Sequence, residues 1–272
     1  LQNYKNVFDS KLKILNEYEF NDIVTLDNVL NVVQRAEMTM RMAEEVKKRI
    51  IELGEEGRFG PGLPAIGDGQ LLFMLNGVKK LKDGSGRMAI IQNGSPLATG
   101  DADSGQSNIR RYLIEEHDWL DAIVQLPNDS FYNTPISTYI WIVNKDKPEN
   151  RKGKIQLIDA SKCYRARKPI GNKRRDIAEA SRSLIVKAYG ECQTKTYEGV
   201  ESDGKPIVCK SKFVDGISLG YRKVVVESPV RNDDGSLALK RGKKVADPSK
   251  RDIENIPLTE TIEDYIAREV LP

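Results

Sequence analysis

Arg87-Met-Ala-Ile-Ile-Gln-Asn93-Gly-Ser-Pro-Leu97, then Leu120-Asp-Ala-Ile-Val-Gln-Leu126-Pro127 and Ser137-Thr-Tyr-Ile-Trp-Ile-Val-Asn144, decide the reading of the fold. Arg87–Gln92 is a short apolar run that ends at the polar turn Asn93-Gly94-Ser95-Pro96. Residues 107–116 read as a helix capped by Ser107. Leu120–Leu126 is a second apolar run, closed by Pro127, and Ser137–Asn144 is a third, rich in β-branched and aromatic residues. Strands alternating with a helix argue for an α/β layer sheet. In open α/β sheets, ligands sit at the carboxyl ends of the strands. The polar loops 93–100 and 127–135 each follow a strand directly and so mark the expected site.

The totals bound the rest. The chain has 272 residues, 39% hydrophobic and 31% charged, which suits one large domain or one domain with an appendage. No stretch approaches the roughly 18 apolar residues of a membrane span. The N-terminus, Leu1-Gln2-Asn3-Tyr4-Lys5, has no basic region followed by an apolar one and no leading Met, so a fragment of a cytoplasmic protein is expected. Cys163, Cys192 and Cys209 are scattered and read as reduced thiols, without metal-site spacing. His117, among Glu115, Glu116 and Asp118, reads as a surface or capping residue. The formal net charge is only +3, but Lys162, Arg165, Arg167, Lys168, Lys173, Arg174, Arg175 and Arg182 crowd one segment, opposed by Asp176 and Glu179. That density fits phosphate neutralisation, and it equally fits a solvated surface loop.

Outside the central stretch, Val29, Leu30, Val33, Ala36, Met40, Ala43, Val46 and Ile50 recur at steps of three and four. They give residues 1–57 one apolar helical stripe, with Asp27 as its cap and a shorter helix before it. Residues 54–69 form a Gly/Pro loop, and residues 70–81 a helix burying Leu71, Leu72, Met74, Leu75 and Val78. Residues 153–160 and 221–226 read as strands and 178–189 as a helix. Residues 232–252, with the basic cluster Lys240, Arg241, Lys243 and Lys244, read as a hairpin or mobile insert. A last helix follows Pro257.

Several motifs run in one order over about residues 58–272: Asp68-Gly-Gln-Leu-Leu-Phe73, Gly86-Arg-Met-Ala89, Asn93-Gly-Ser-Pro-Leu97, Gly105-Gln-Ser-Asn-Ile-Arg-Arg111 and Leu126-Pro127 with Phe131-Tyr-Asn-Thr134. Gly153-Lys-Ile-Gln-Leu-Ile-Asp-Ala160, Gly220-Tyr-Arg-Lys223 and Arg268-Glu-Val-Leu-Pro272 follow. In these the chain resembles the modification (methylation) subunit of type I restriction–modification systems, an adenine-N6 DNA methyltransferase. The resemblance implies a partial Rossmann-like methyltransferase sheet with flanking helices and an N-terminal helical segment. It divides the chain into a helical segment (1–57), a methyltransferase-like core equal to the C-terminal half of the family's catalytic domain (58–160), and a basic segment with a strand and helix extension (161–272). The implied cofactor is S-adenosylmethionine. The implied partners are DNA, a specificity subunit and a nuclease subunit, with no membrane.

Chemistry on an adenine amino group needs the base taken out of the duplex into an aromatic-walled pocket. By resemblance Phe131 stacks on that base, and Asn93, Tyr132, Asn133 and Thr134 are candidate pocket residues. Arg110, Arg111, Lys173, Arg174 and Arg175 are candidates for the DNA backbone, with salt bridging or simple exposure as the alternative for Arg110 and Arg111. The family's Gly-rich cofactor turn and its Asn-Pro-Pro-aromatic motif do not occur in the sequence, so no catalytic residue is identified. Two expectations follow: the chain alone lacks cofactor binding and turnover, and it is either a segment or a join of separate pieces near Gly57–Phe59. The rival reading is a non-catalytic protein that binds DNA or subunits through a degenerate methyltransferase half.

Overall fold

The structure is a computed structural model that describes residues 57–65 and 68–270, with Lys48, Glu52 and Leu53. The helical stripe expected over residues 1–57 lies otherwise outside the described residues, whereas Gly57–Phe59, where a join was expected, are described. The chain divides into two compact units, Leu1–Gly60 and Pro61–Pro272.

Helix α1 is Gln70–Lys80, and it buries Leu71, Met74, Leu75 and Val78 on one side. Lys79 and Lys80 lie in its last turn, where cations favour the helix dipole. Strand β1 (Arg87–Asn93) follows, then the four-residue helix α2 (Ser95–Ala98). Helix α3 (Gly105–Arg111) runs on into a wider turn, Tyr112–Glu116. Its cap is Ser104, whose hydroxyl accepts from the Ser107 amide, so the helix begins earlier than a Ser107 cap allows. Strands β2 (Leu120–Gln125), β3 (Thr138–Asn144) and β4 (Lys154–Asp159) come next, as the apolar runs foretold.

The basic segment is a β-hairpin, β5 (Arg165–Ile170) and β6 (Lys173–Asp176). Helix α4 (Glu179–Glu191) leads into β7 (Lys195–Val200) and β8 (Pro206–Asp215). A long ribbon of β9 (Tyr221–Pro229) and β12 (Ala246–Pro257) carries the small hairpin β10 (Leu239–Lys240) and β11 (Lys243–Lys244). The short helix α5 (Ile262–Tyr265) ends the described chain with the turn Ile266–Val270.

Six strands form one mixed sheet in the order β1-β3-β2-β4-β8-β7. Strand β3 is antiparallel to both β1 and β2, so those two run the same way. Strand β4 lies parallel to β2, and β8 is antiparallel to β4 and β7. The sheet therefore continues past residue 160. Helices cover both faces. Gln156 donates to the Ala188 carbonyl of α4 at 2.8 Å, and Ile158 shares a core with Ala188. On the other face, Ile155 and Ile114 of the turn after α3 both crowd Gly216. This is the mixed α/β class read from the sequence.

Candidate functional site at the carboxyl edge of the sheet

Register places the carboxyl ends of β1, β2 and β4 side by side. Tyr139 of β3 pairs with Gln92 on one side and Gln125 on the other, and Gln125 pairs with Asp159. The loops after β1, β2 and β4 thus leave the sheet at one edge, where a ligand is expected in this architecture.

The first loop is locked from within. Gln70 Nε2 donates to Asn93 Oδ1 at 2.8 Å, and the Asn93 amide donates to Gln70 Oε1 at 2.9 Å. The Ser95 amide donates to Asn93 Oδ1 at 2.9 Å, and the Ser95 hydroxyl donates to Asp68. Burial raises the Asp68 carboxyl, but the bonds from Ser95 and Gln70 outweigh it and hold the group below its usual range. Asn93 therefore ties the start of α1 to the end of β1. Gln92 Oε1 and Thr138 Oγ1, buried beside it, have no hydrogen-bond partner among the described residues.

The second loop is docked on the basic hairpin. The amides of Arg174 and Arg175 donate to the Asp129 carbonyl at 2.9 and 3.2 Å, and the Asn172 amide donates to the Tyr132 carbonyl at 2.9 Å. Gly171, at φ 58, sits so close that a Cβ there would lie 2.7 Å from the Tyr132 carbonyl oxygen. Only glycine suits both that backbone and that approach. Phe131 is half-buried and packs against the core that includes Val124 and Leu126. Tyr132 is 45% exposed, with the Lys173 ammonium 4.9 Å from its ring centre. Asn133 is exposed, and the Thr134 hydroxyl accepts from the Ile136 amide at 3.4 Å.

An open pocket of about 360 Å³ lies at this edge, lined by Gln125, Asn128, Ser137, Ser161, Lys162, Tyr164 and Arg175. The Arg175 guanidinium lies 4.3 Å from the Tyr164 ring centre, and the Ser137 hydroxyl donates to Asn128 Oδ1 at 2.7 Å. Two cations and no carboxylate line it, which suits an anion or a nucleotide. Sequence reading singled out Arg175 here but missed Asn128, Ser161 and Tyr164, whose only signal was position just past β2 and β4.

The remaining candidates fall elsewhere. Arg110 donates to three backbone carbonyls, Pro96 at 3.0, Thr99 at 2.8 and Gly100 at 3.3 Å, and so pins the Gly/Asp-rich loop before α3. Arg111 pairs with Glu116 at 3.1 Å in the open. Lys173 and Arg167 share Asp176, each at 3.1 Å. Arg174 is exposed. His117 stacks on Trp119 at 4.0 Å, and burial lowers its pKa. No cluster of His, Cys, Asp and Glu fit for a metal occurs among the described residues. No described helix is long and apolar enough to cross a membrane.

Residues 44–246 match the N-6 DNA Methylase family model, more than half of the chain. The chain belongs to the N-6 DNA methylase family. The methylase subunit of the type I restriction enzyme MjaVIII from Methanocaldococcus jannaschii is 40% identical over 86 residues, 32% of this chain and 14% of the relative. The chain thus spans about a seventh of that methylase. A solved type I restriction-modification methyltransferase subunit from Streptococcus thermophilus is 24% identical, with a TM-score of 0.48 over 61% of this chain and 31% of that one. Residues 1–60 match another family, the DisA bacterial checkpoint controller linker region. The DNA integrity scanning protein DisA of Clostridioides difficile is 47% identical over 57 residues, 21% of this chain and 16% of that protein. The two family matches overlap at residues 44–60.

Proposed function

We propose that this chain is the base- and backbone-holding part of a type I methylation subunit, which methylates adenine N6 in DNA within a complex with specificity and nuclease subunits. The observation that carries the reading is the docking of the Phe131 loop on the basic hairpin β5–β6 at the carboxyl edge of the sheet. A base out of its stack needs an aromatic face, and its flanking phosphates need cations. Phe131 supplies the face. Lys162 and Arg175 supply charge in the neighbouring pocket, where Asn128 and Gln125 offer amide donors and acceptors, and exposed Arg174 adds a cation on the hairpin. Arg174 reaches the loop through its backbone amide, which leaves its side chain free for phosphate.

S-adenosylmethionine supplies the methyl group in this family. Its sulfonium is positive, and the carboxyl-edge pocket, lined by Lys162 and Arg175 and by no carboxylate, offers that group no counter-charge. Asp68, the carboxylate beside β1, is engaged by Ser95 and Gln70. On this reading the residues that hold the cofactor are not among those of this edge.

The test is Phe131→Ala in the intact methylase. Base–aromatic stacking is worth about 1–3 kcal/mol, so methylation should fall roughly 5- to 150-fold with cofactor affinity kept. Unchanged methylation kinetics reject the stacking role. Loss in Tyr132→Ala alone transfers it to the exposed neighbour.

A further inference from the structure

The β9–β12 ribbon lies outside the six-stranded sheet and is held at its base. There Lys223 and Tyr221 reach Asp101, the Arg222 guanidinium donates to the Glu260 carbonyl, and the Tyr265 hydroxyl donates to Glu254 at 2.9 Å. Its far end is a small three-strand patch in which the Ala238 amide donates to the Val230 carbonyl at 2.9 Å and the Val245 amide to the Ala238 carbonyl at 3.0 Å. Beyond it, Lys240-Arg241-Gly242-Lys243-Lys244 turns the chain, every residue exposed. Among the described residues, none of these four cations has a carboxylate within ion-pair distance.

The turn itself is unusual. Arg241 and Gly242 both have positive φ, 55 and 77. A two-residue hairpin turn of that kind strongly favours Asn-Gly. Arginine in the left-handed region is disfavoured, and such an outlier points towards function rather than towards folding. The sequence keeps a fourth cation at the place where the fold asks for Asn.

We propose that this tip is a finger that grips the phosphates of duplex DNA, an inference that rests on the DNA reading above. A two-stranded antiparallel ribbon fits a major groove about 12 Å wide, and the cations at its turn meet the phosphates that rim the groove. No sequence readout is assigned to it.

The test uses the full chain and a labelled 20-bp duplex, without cofactor, over a salt series. Each phosphate contact contributes about 0.9 to the slope of log affinity against log salt. Replacing Lys240, Arg241, Lys243 and Lys244 with Ala should flatten that slope by about 3 to 4. Replacing Lys152, Lys187, Lys205 and Lys212, an equal change of charge elsewhere, should leave it unchanged. Arg241→Asn is the sharper variant: it suits the turn, so the melting temperature should hold or rise while the slope still falls by about 1. No salt-dependent binding by the wild type overturns the proposal. So does an unchanged slope in the tip variants, or equal flattening in the control. Because binding is read apart from methyl transfer, the Phe131 test can fail while this one succeeds, and the reverse.

Discussion

Asp121 is a carboxylate at 1% exposure in the middle of the protein. Arg151 Nε donates to its Oδ1 at 2.6 Å, and the Tyr189 hydroxyl donates to its Oδ2 at 2.5 Å. Arg151 also reaches Gln156 Oε1 at 2.8 Å and lies 4.6 Å from the Tyr189 ring centre. The group stitches β2, β4 and α4 together. Arg151→Ala leaves the buried carboxylate without its cation and should lower stability by roughly 3–5 kcal/mol in urea denaturation. Burial first, and then the bond to Asp121, push the Tyr189 hydroxyl from its ordinary 10.0 up to about 12. The unfolded chain loses this proton first. Stability from Tyr189 is thus complete below pH 10 and drains away as pH rises towards 12. Tyr189→Phe should make the alkaline fall in stability shallower over that window, and an unaltered fall would reject the assignment. None of this was legible in the sequence, where Asp121 sits inside an apolar run and Arg151 in a polar linker. Only the parallel pairing of β2 with β4 brings them together.

At the scale of elements, the hairpin β5–β6 decides where the Phe131 loop stands. Gly171→Ala places a Cβ against the Tyr132 carbonyl and a non-glycine at φ 58. It should destabilise by at least about 1 kcal/mol and speed amide exchange at Asn172, Arg174 and Arg175. Unchanged exchange there would mean that the loop is held by other contacts. Strands β1 to β4 were readable because they are short runs in which apolar residues predominate. Strands β5 and β6 were not, because Arg-Ala-Arg-Lys-Pro-Ile and Lys-Arg-Arg-Asp carry cations and a proline, and their pairing is on the surface. Strand β8 hid for a different reason. Its inward residues are Ile207, Cys209 and Ser211, and the buried Ser211 hydroxyl is satisfied by Gln156 Nε2, which donates to it at 2.8 Å. The pairing of Cys163 with Cys209 in the core was equally invisible. The neighbouring Cys209 and burial push the Cys163 thiol far up, and its Sγ donates to the Val208 carbonyl at 3.2 Å.

At the scale of the whole molecule, the chain combines an N-6 DNA methylase match over residues 44–246 with a DisA linker match over residues 1–60. The compact unit Pro61–Pro272 owns the entire six-stranded sheet. Produced alone, residues 61–272 should keep the main thermal transition of the full chain within a few degrees. A lost or much lowered transition would make the N-terminal segment part of the same cooperative unit. The family was legible from motifs at strand ends, and the sheet from apolar periodicity. The DisA match was not, because an amphipathic stripe says that a helix packs without saying on what. The proposed division of labour gives this chain the base and the DNA backbone and leaves the methyl donor to other residues. Calorimetric titration of the 272-residue chain with S-adenosylmethionine separates the two cases. No saturable one-to-one binding is expected, and clear one-to-one binding would place the cofactor site within these residues and overturn the proposal.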